Sequence, residues 1–103
     1  MKNEEKWPTY FHVVKIVDSV LSKILNIYLI VGVVNKKQLD EGAHDIDLHA
    51  RVPIGEDRFV IASLVDQDRL NLILERYRER ASRWRGQYQA MSKALVVACE
   101  EAL

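Results

Sequence analysis

Cysteine is almost missing from this chain. Cys99 is the single one in 103 residues. A disulfide within the chain is excluded, and so is a zinc site built on CxxC pairs. A reducing, cytoplasmic setting is the natural expectation. Glycine and proline are also scarce, at four and two. The glycines at 32, 42, 55 and 86 are scattered, which leaves no glycine-rich loop to cradle a phosphate. None of the serines at 19, 22, 63, 82 and 92 sits in a GxSxG elbow. Net charge is absent too, because 15 basic residues balance 15 acidic ones. A general polyanion binder would be basic overall. A long hydrophobic run is lacking as well. The stretch Ile24 to Val34 is too short to span a bilayer, and Lys15, Asp18, Lys23 and Asn26 interrupt any wider window. The opening Met1-Lys-Asn-Glu-Glu-Lys is polar and leads into Trp7-Pro8, unlike a secretion leader. No membrane partner is expected.

What remains is ordinary globular composition, 49% hydrophobic and 29% charged. The length suits one domain. Residues 1–8 read as a polar arm, and 9–103 as a single α+β domain.

Polar residues recur at His12, Lys15, Ser19, Ser22 and Asn26, with Val13, Val17, Val20, Leu21 and Ile24 opposite. That spacing predicts a helix from about Tyr10 to Leu25, with Thr9 as its N-cap. The segment Ile27 to Val34 is β-branched, contains Gly32 and has no polar side chain except Tyr28, which predicts a buried strand. The rival reading continues the helix to Val34. Asn35 to His44 reads as a polar loop. Between Asp45 and Val52 the apolar Ile46, Leu48, Ala50 and Val52 alternate with Asp45, Asp47, His49 and Arg51, as in a half-buried strand. A turn at Pro53 to Asp57 and a third strand from Arg58 to Val65 complete a hairpin. The expected order is α-β-β-β-α, a three-stranded antiparallel meander with a short N-terminal and a long C-terminal helix.

The long helix starts at Asp66, a capping residue, with Asp68 in its first turn. Its apolar or small positions are Leu70, Leu74, Tyr77, Ala81, Trp84, Tyr88, Met91, Leu95, Ala98 and Ala102, an unbroken alternation of steps of four and three. A helix over 67–102 would measure roughly 54 Å, about twice the ~27 Å of an eight-residue strand. Its second half would overshoot the sheet. On that reading Tyr77, Trp84, Tyr88, Met91, Leu95 and Ala98 form a protein interface, and the partner is a second copy. Arg80 and Arg85 flank the seam and disfavour a parallel pairing. Trp84→Ala or Leu95→Ala would then weaken the dimer. The competing reading has the helix kink at Gly86 and fold back on itself.

Arginines crowd the same stretch, at 69, 76, 78, 80, 83 and 85. Arginine contacts phosphate bidentately, so Arg69, Arg76, Arg80 and Arg83 carry a second reading, a nucleic-acid-binding dimer. The blander account is a solvated face, or pairing with the acidic group Asp40, Glu41, Asp45 and Asp47. In a strand, Asp45, Asp47 and His49 would point the same way and could be read as a divalent-metal site. They are equally the outer face that an amphipathic strand requires, and no metal or other cofactor is expected. Cys99 reads as packing rather than as a nucleophile, and nothing marks an enzyme.

Trp84-Arg85-Gly86 resembles the WxG turn of small helical type VII secretion substrates, where the tripeptide lies at the bend of a hairpin. Here it follows three predicted strands, and no family is assigned. The leading expectation is a non-enzymatic protein-binding module of the adaptor, inhibitor or chaperone kind, dimeric through its last helix.

Overall fold

The computed structural model describes residues 9–16 and 26–103. The α+β class holds, with four strands rather than three. The sheet is not the expected meander, because the strand at 27–34 pairs with the one at 59–66 and not with the next in sequence. Strands β1 (Tyr10–Ile16), β2 (Ile27–Val34), β3 (Ala50–Pro53) and β4 (Phe59–Asp66) form one antiparallel sheet in the order β1-β2-β4-β3. Two helices follow, α1 (Gln67–Arg83) and α2 (Gly86–Ala102), with a short π-helical segment at Gln38–Gly42 between β2 and β3.

The strand over 27–34 is as expected, central and paired on both sides. The N-terminal helix is not. Residues 10–16 form a strand, and 17–25, the rest of the expected helix, lie outside the described residues, as does the arm at 1–8. Phe11 and Val13 are buried while Tyr10, His12 and Val14 are exposed, the period of two that a strand imposes. Thr9 caps no helix; its hydroxyl donates to Gln38 Oε1 at 2.9 Å. The strand expected from Asp45 is shorter and starts at Ala50. Residues 45–49 leave the ladder because Asp45 is held by α1 and Ile46 turns into the core, only 6% exposed.

Period two puts Phe11, Val13, Tyr28, Ile30, Val34, Ile61, Ser63 and Val65 on one sheet face, all buried. Both helices cover that face, α1 against β4 and β2, α2 against β1. Leu70, Ile73, Leu74 and Tyr77 from α1 meet Met91, Leu95, Ala98 and Cys99 from α2 in the same core. Phe11 lies opposite Gly32 in the register, and a Cβ on Gly32 would come within 2.4 Å of the Phe11 ring. The bare glycine therefore makes room for the aromatic ring.

The expected single long helix is in two pieces. Trp84 and Arg85 are extended, and Gly86 takes φ +62, a left-handed conformation that an L side chain adopts at a cost. The chain reverses there. The hydrophobic seam is real, but its two halves close on each other and on the sheet. The end of α1 is satisfied locally: Trp84 N donates to the Arg80 carbonyl at 2.7 Å and Gln89 Nε2 to the Ala81 carbonyl at 2.9 Å. Arg78 on α1 bridges to Glu100 on α2 at 2.7 Å. Asp66 caps α1 as expected, accepting from Arg69 N at 2.8 Å.

Gly86→Ala separates the bent form from a continuous helix by sign. In an exposed, continuous helix the substitution stabilises by about 1 kcal/mol. At a left-handed φ it costs about 1–2 kcal/mol. Urea denaturation of the variant is expected to show the loss. Leu95, fully enclosed, is expected to cost about 2–5 kcal/mol when changed to Ala, read in the same assay.

Candidate interaction surface

The residues expected to form an interface divide by burial. Tyr77, Met91, Leu95 and Ala98 are enclosed within the chain at 5% exposure or less. Trp84 and Tyr88 are half-buried at the helix reversal. Trp84 stands edge-on between two rings, with centroids 6.5 Å from Tyr77 and 6.1 Å from Tyr88. Edge-to-face contact at such distances is the geometry aromatic pairs prefer. The Arg80 guanidinium lies 4.8 Å from the Tyr77 ring centroid and 4.9 Å from that of Trp84. A cation over an aromatic face is attracted by the ring quadrupole.

This corner is fastened to the loop by a polar cluster. Tyr77 Oη lies 2.7 Å from the Gly42 carbonyl and 2.8 Å from Asp45 Oδ1, and its one proton serves one acceptor at a time. Arg80 donates to both Asp45 oxygens, at 3.2 and 2.7 Å, and Arg76 adds an ion pair at 3.6 Å. Partial burial works to raise the Asp45 carboxyl pKa. Hydrogen bonds from Arg80 and Tyr77, with the Arg80 charge, outweigh it and hold the group below its ordinary value. Burial, then the bond to Asp45, pushes the Tyr77 phenol above its usual range. The bond to Asp45 likewise raises Arg80. Nearby, Tyr88 donates to Glu41 at 2.7 Å, which raises its phenol in turn.

The four arginines of the nucleic-acid reading do not make one open stripe. Arg76 and Arg80 share Asp45, Arg83 pairs with Glu79 at 3.6 Å, and Arg69 lies a helical turn or more before them in the first turns of α1. Asp45, Asp47 and His49 lie on an irregular segment rather than on a strand, and so lose the common direction that strand spacing implied. The Asp47 carbonyl accepts from Ser63 Oγ, and His49 Nδ1 accepts from Leu64 N. No group of three or more His, Cys, Asp or Glu side chains suited to a metal occurs among the described residues. Cys99 is fully enclosed, and burial, helped by the charge of Glu100, raises its thiol pKa to about 11. It stays protonated near neutral pH and is a poor nucleophile there.

Sequence reasoning passed over a second polar node. Asn35 Oδ1 accepts from Gln38 N at 2.8 Å, while Gln38 Oε1 accepts from Asn35 N at 3.0 Å. This is the reciprocal geometry of a capping box, legible in the spacing Asn35-x-x-Gln38. Gln38 also donates to the Gln87 carbonyl at 2.9 Å. It is only 2% exposed and ties the β1 start, the π-helical segment and α2 together.

The side of the sheet turned away from both described helices is largely apolar, and its residues range from partly buried to exposed. The register places Tyr10, His12, Val14 and Ile16 on β1 beside Val33, Val31, Leu29 and Ile27 on β2, then Val60, Ala62, Leu64 and Asp66 on β4, with Val52 and Ala50 on β3. Among these residues only His12 and Asp66 have a basic or acidic side chain. Tyr10, Val14, Val52 and Leu64 are exposed by 56, 42, 52 and 47%. Neither helix lies on this side. Antiparallel sheets with one solvated face normally alternate apolar with polar residues, and this one does not. Among the described residues this is a contiguous apolar patch that neither helix covers, the kind of surface on which partners dock.

Comparison with family models, with curated proteins and with solved structures gave no match. No described helix is long and apolar enough to cross a membrane.

Asp45→Asn is expected to destabilise the fold by about 1–3 kcal/mol at pH 7, since bonds to a charged group are lost. The native pKa of Asp45 lies below its ordinary value of 3.8. Its stabilisation is therefore present above about pH 4 and disappears as pH falls through the native pKa. Urea titrations between pH 2 and 7 should show a shallower acid limb in the variant. A raised Tyr77 pKa gives the opposite sign, with stability lost as pH climbs beyond about 10.

Proposed function

We propose that this chain is a non-enzymatic protein-binding module whose contact surface is the open apolar face of its sheet. The observation that carries the reading is the uncharged outer grid centred on Leu29, Val31, Ala62 and Leu64, partly buried to exposed and covered by neither described helix. Burying such a face stabilises a complex by roughly 25 cal/mol for each Å² of apolar surface removed from water, before association costs. The helix seam has another use, because Met91, Leu95 and Ala98 are spent on the core. Trp84→Ala and Leu95→Ala therefore report on folding in the first instance. Arg76 and Arg80 pair with Asp45, and what stays exposed, Arg78 and Arg83 among others, would orient a partner rather than hold it.

The face is built on paired strands, and the fold supports it from behind through Leu70, Ile73 and Leu95. A preformed surface avoids the entropy of ordering a loop on binding.

Native gel filtration of the full chain in extract of its own host tests the reading. The wild-type chain is expected to elute well above its 11.9 kDa. Leu64→Asp, a change at a position already 47% exposed, should return it to the size of the free chain. Arg76→Glu with Arg83→Glu should leave the complex in place. An unchanged elution of Leu64→Asp would overturn the proposal. A low-salt gel shift with nucleic acid that the arginine pair abolishes would favour the nucleic-acid-binding class instead.

A further inference from the structure

The occupant of the open face can be narrowed by chemistry, shape and size, and the narrowing rests on the reading above. Asp66 sits at one corner, and one of its carboxylate oxygens is engaged as the cap of α1. His12 lies on the edge strand β1. The centre of the face, Leu29, Val31, Val33, Val60, Ala62 and Leu64, carries no charge and no hydrogen-bonding side chain. A nucleic acid or an acidic peptide would find nothing there to neutralise it. A partner that fits must itself be flat, twisted like a sheet and apolar at its middle.

We infer that this partner is a second copy of the chain, packed sheet against sheet around a two-fold axis. Two sheets stack face to face at a separation of about 10 Å with strands within about 30° of each other, since both carry the same twist. A surface that meets its own copy across a two-fold axis needs only to be complementary to itself. A featureless apolar sheet face satisfies that, because it contains no like charges to oppose at the centre. The size comes close. Strands of seven, eight, four and eight residues, at about 4.8 Å spacing and about 3.4 Å per residue, give a face of roughly 440 Å². Two such faces cover about 880 Å² in flat projection, against the ~1,000 Å² that a specific interface should clear. The accessible area of corrugated side chains is larger than the projection. If the axis runs along the strands, β2 of each copy lies over β4 of the other, and the leucines and valines of both central columns share one dry layer. The result is a four-layer particle, helices outside and two sheets within.

Sedimentation velocity of the purified full chain between 1 and 500 μM decides the matter. The wild-type chain should sediment as a dimer of the 11.9 kDa chain. Val14→Asp and Leu64→Asp, each at an exposed position, should raise the dissociation constant at least 100-fold. Val97→Asp, 51% exposed on α2 and away from the sheet, should leave it unchanged. A monomer throughout the range overturns the second copy. So does a dimer that Val97→Asp weakens while Leu64→Asp does not. A purified monomer whose Leu64-dependent complex persists in extract would remove the second copy and leave the docking face standing. A monomer whose melting temperature falls sharply with Leu64→Asp would mean that the chain's own residues cover the face, and both readings would fall.

Discussion

Two helices must lie on one face of a sheet that is only eight residues tall, and this constraint shapes the C-terminal half of the molecule. The inner side of β1, β2 and β4 presents Phe11, Val13, Tyr28, Ile30, Val34, Ile61 and Val65. A single rod of 36 residues would cover one diagonal and project into water. Dividing it at Trp84 and Arg85 lets α1 cover β4 and β2 while α2 covers β1. Burial of enclosed side chains such as Leu70, Met91 and Leu95 far exceeds the cost of one left-handed glycine. The aromatic and arginine contacts at the reversal then fix the angle of the bend. The Tyr77–Asp45–Arg80 cluster ties that corner to the loop in front of β3.

Much of the core was legible. Of the positions that steps of three and four pick out, Leu70, Leu74, Tyr77, Met91, Leu95 and Ala98 are buried, while Ala81, Trp84, Tyr88 and Ala102 are partly so. Periodicity reports which side of a helix faces apolar surroundings, and it is silent on whose surroundings they are. A heptad pattern looks the same in a rod that pairs with a neighbour and in one that folds onto itself. The discriminating residue was Gly86, and an isolated glycine in a helical pattern does not by itself force a break. The tripeptide containing it resembles a known hairpin bend, and the reversal does fall there.

The misread of β1 has a related cause. Alternation between apolar and polar residues betrays a strand only when its two faces meet different solvents. In Tyr10–Ile16 both sides are largely apolar, with Tyr10 and Val14 pointing away from the core. The weak polar signal left over, His12 and Lys15, fitted a helical spacing with later residues. The same apolar outer side that hid the strand is the candidate binding surface. Its residues come from four strands, and no short motif could have announced it. Local polar devices fared better or worse according to range. The Asp66 cap was readable from neighbours in sequence, whereas the Asp45–Tyr77 contact joins residues 32 apart and needed the tertiary structure.

Asp66 is at once the last residue of β4 and the cap of α1, so no loop separates strand from helix. The pleat of the sheet and the rotational phase of the helix are therefore geared together. Inserting one residue at this junction would turn α1 by about 100° relative to the strand, carrying Leu70, Leu74 and Tyr77 off the core. The turn at 54–57, by contrast, lies between β3 and β4, and its residues are all exposed. Length variation among descendants of this chain should accumulate at that turn and be purged from the β4–α1 seam.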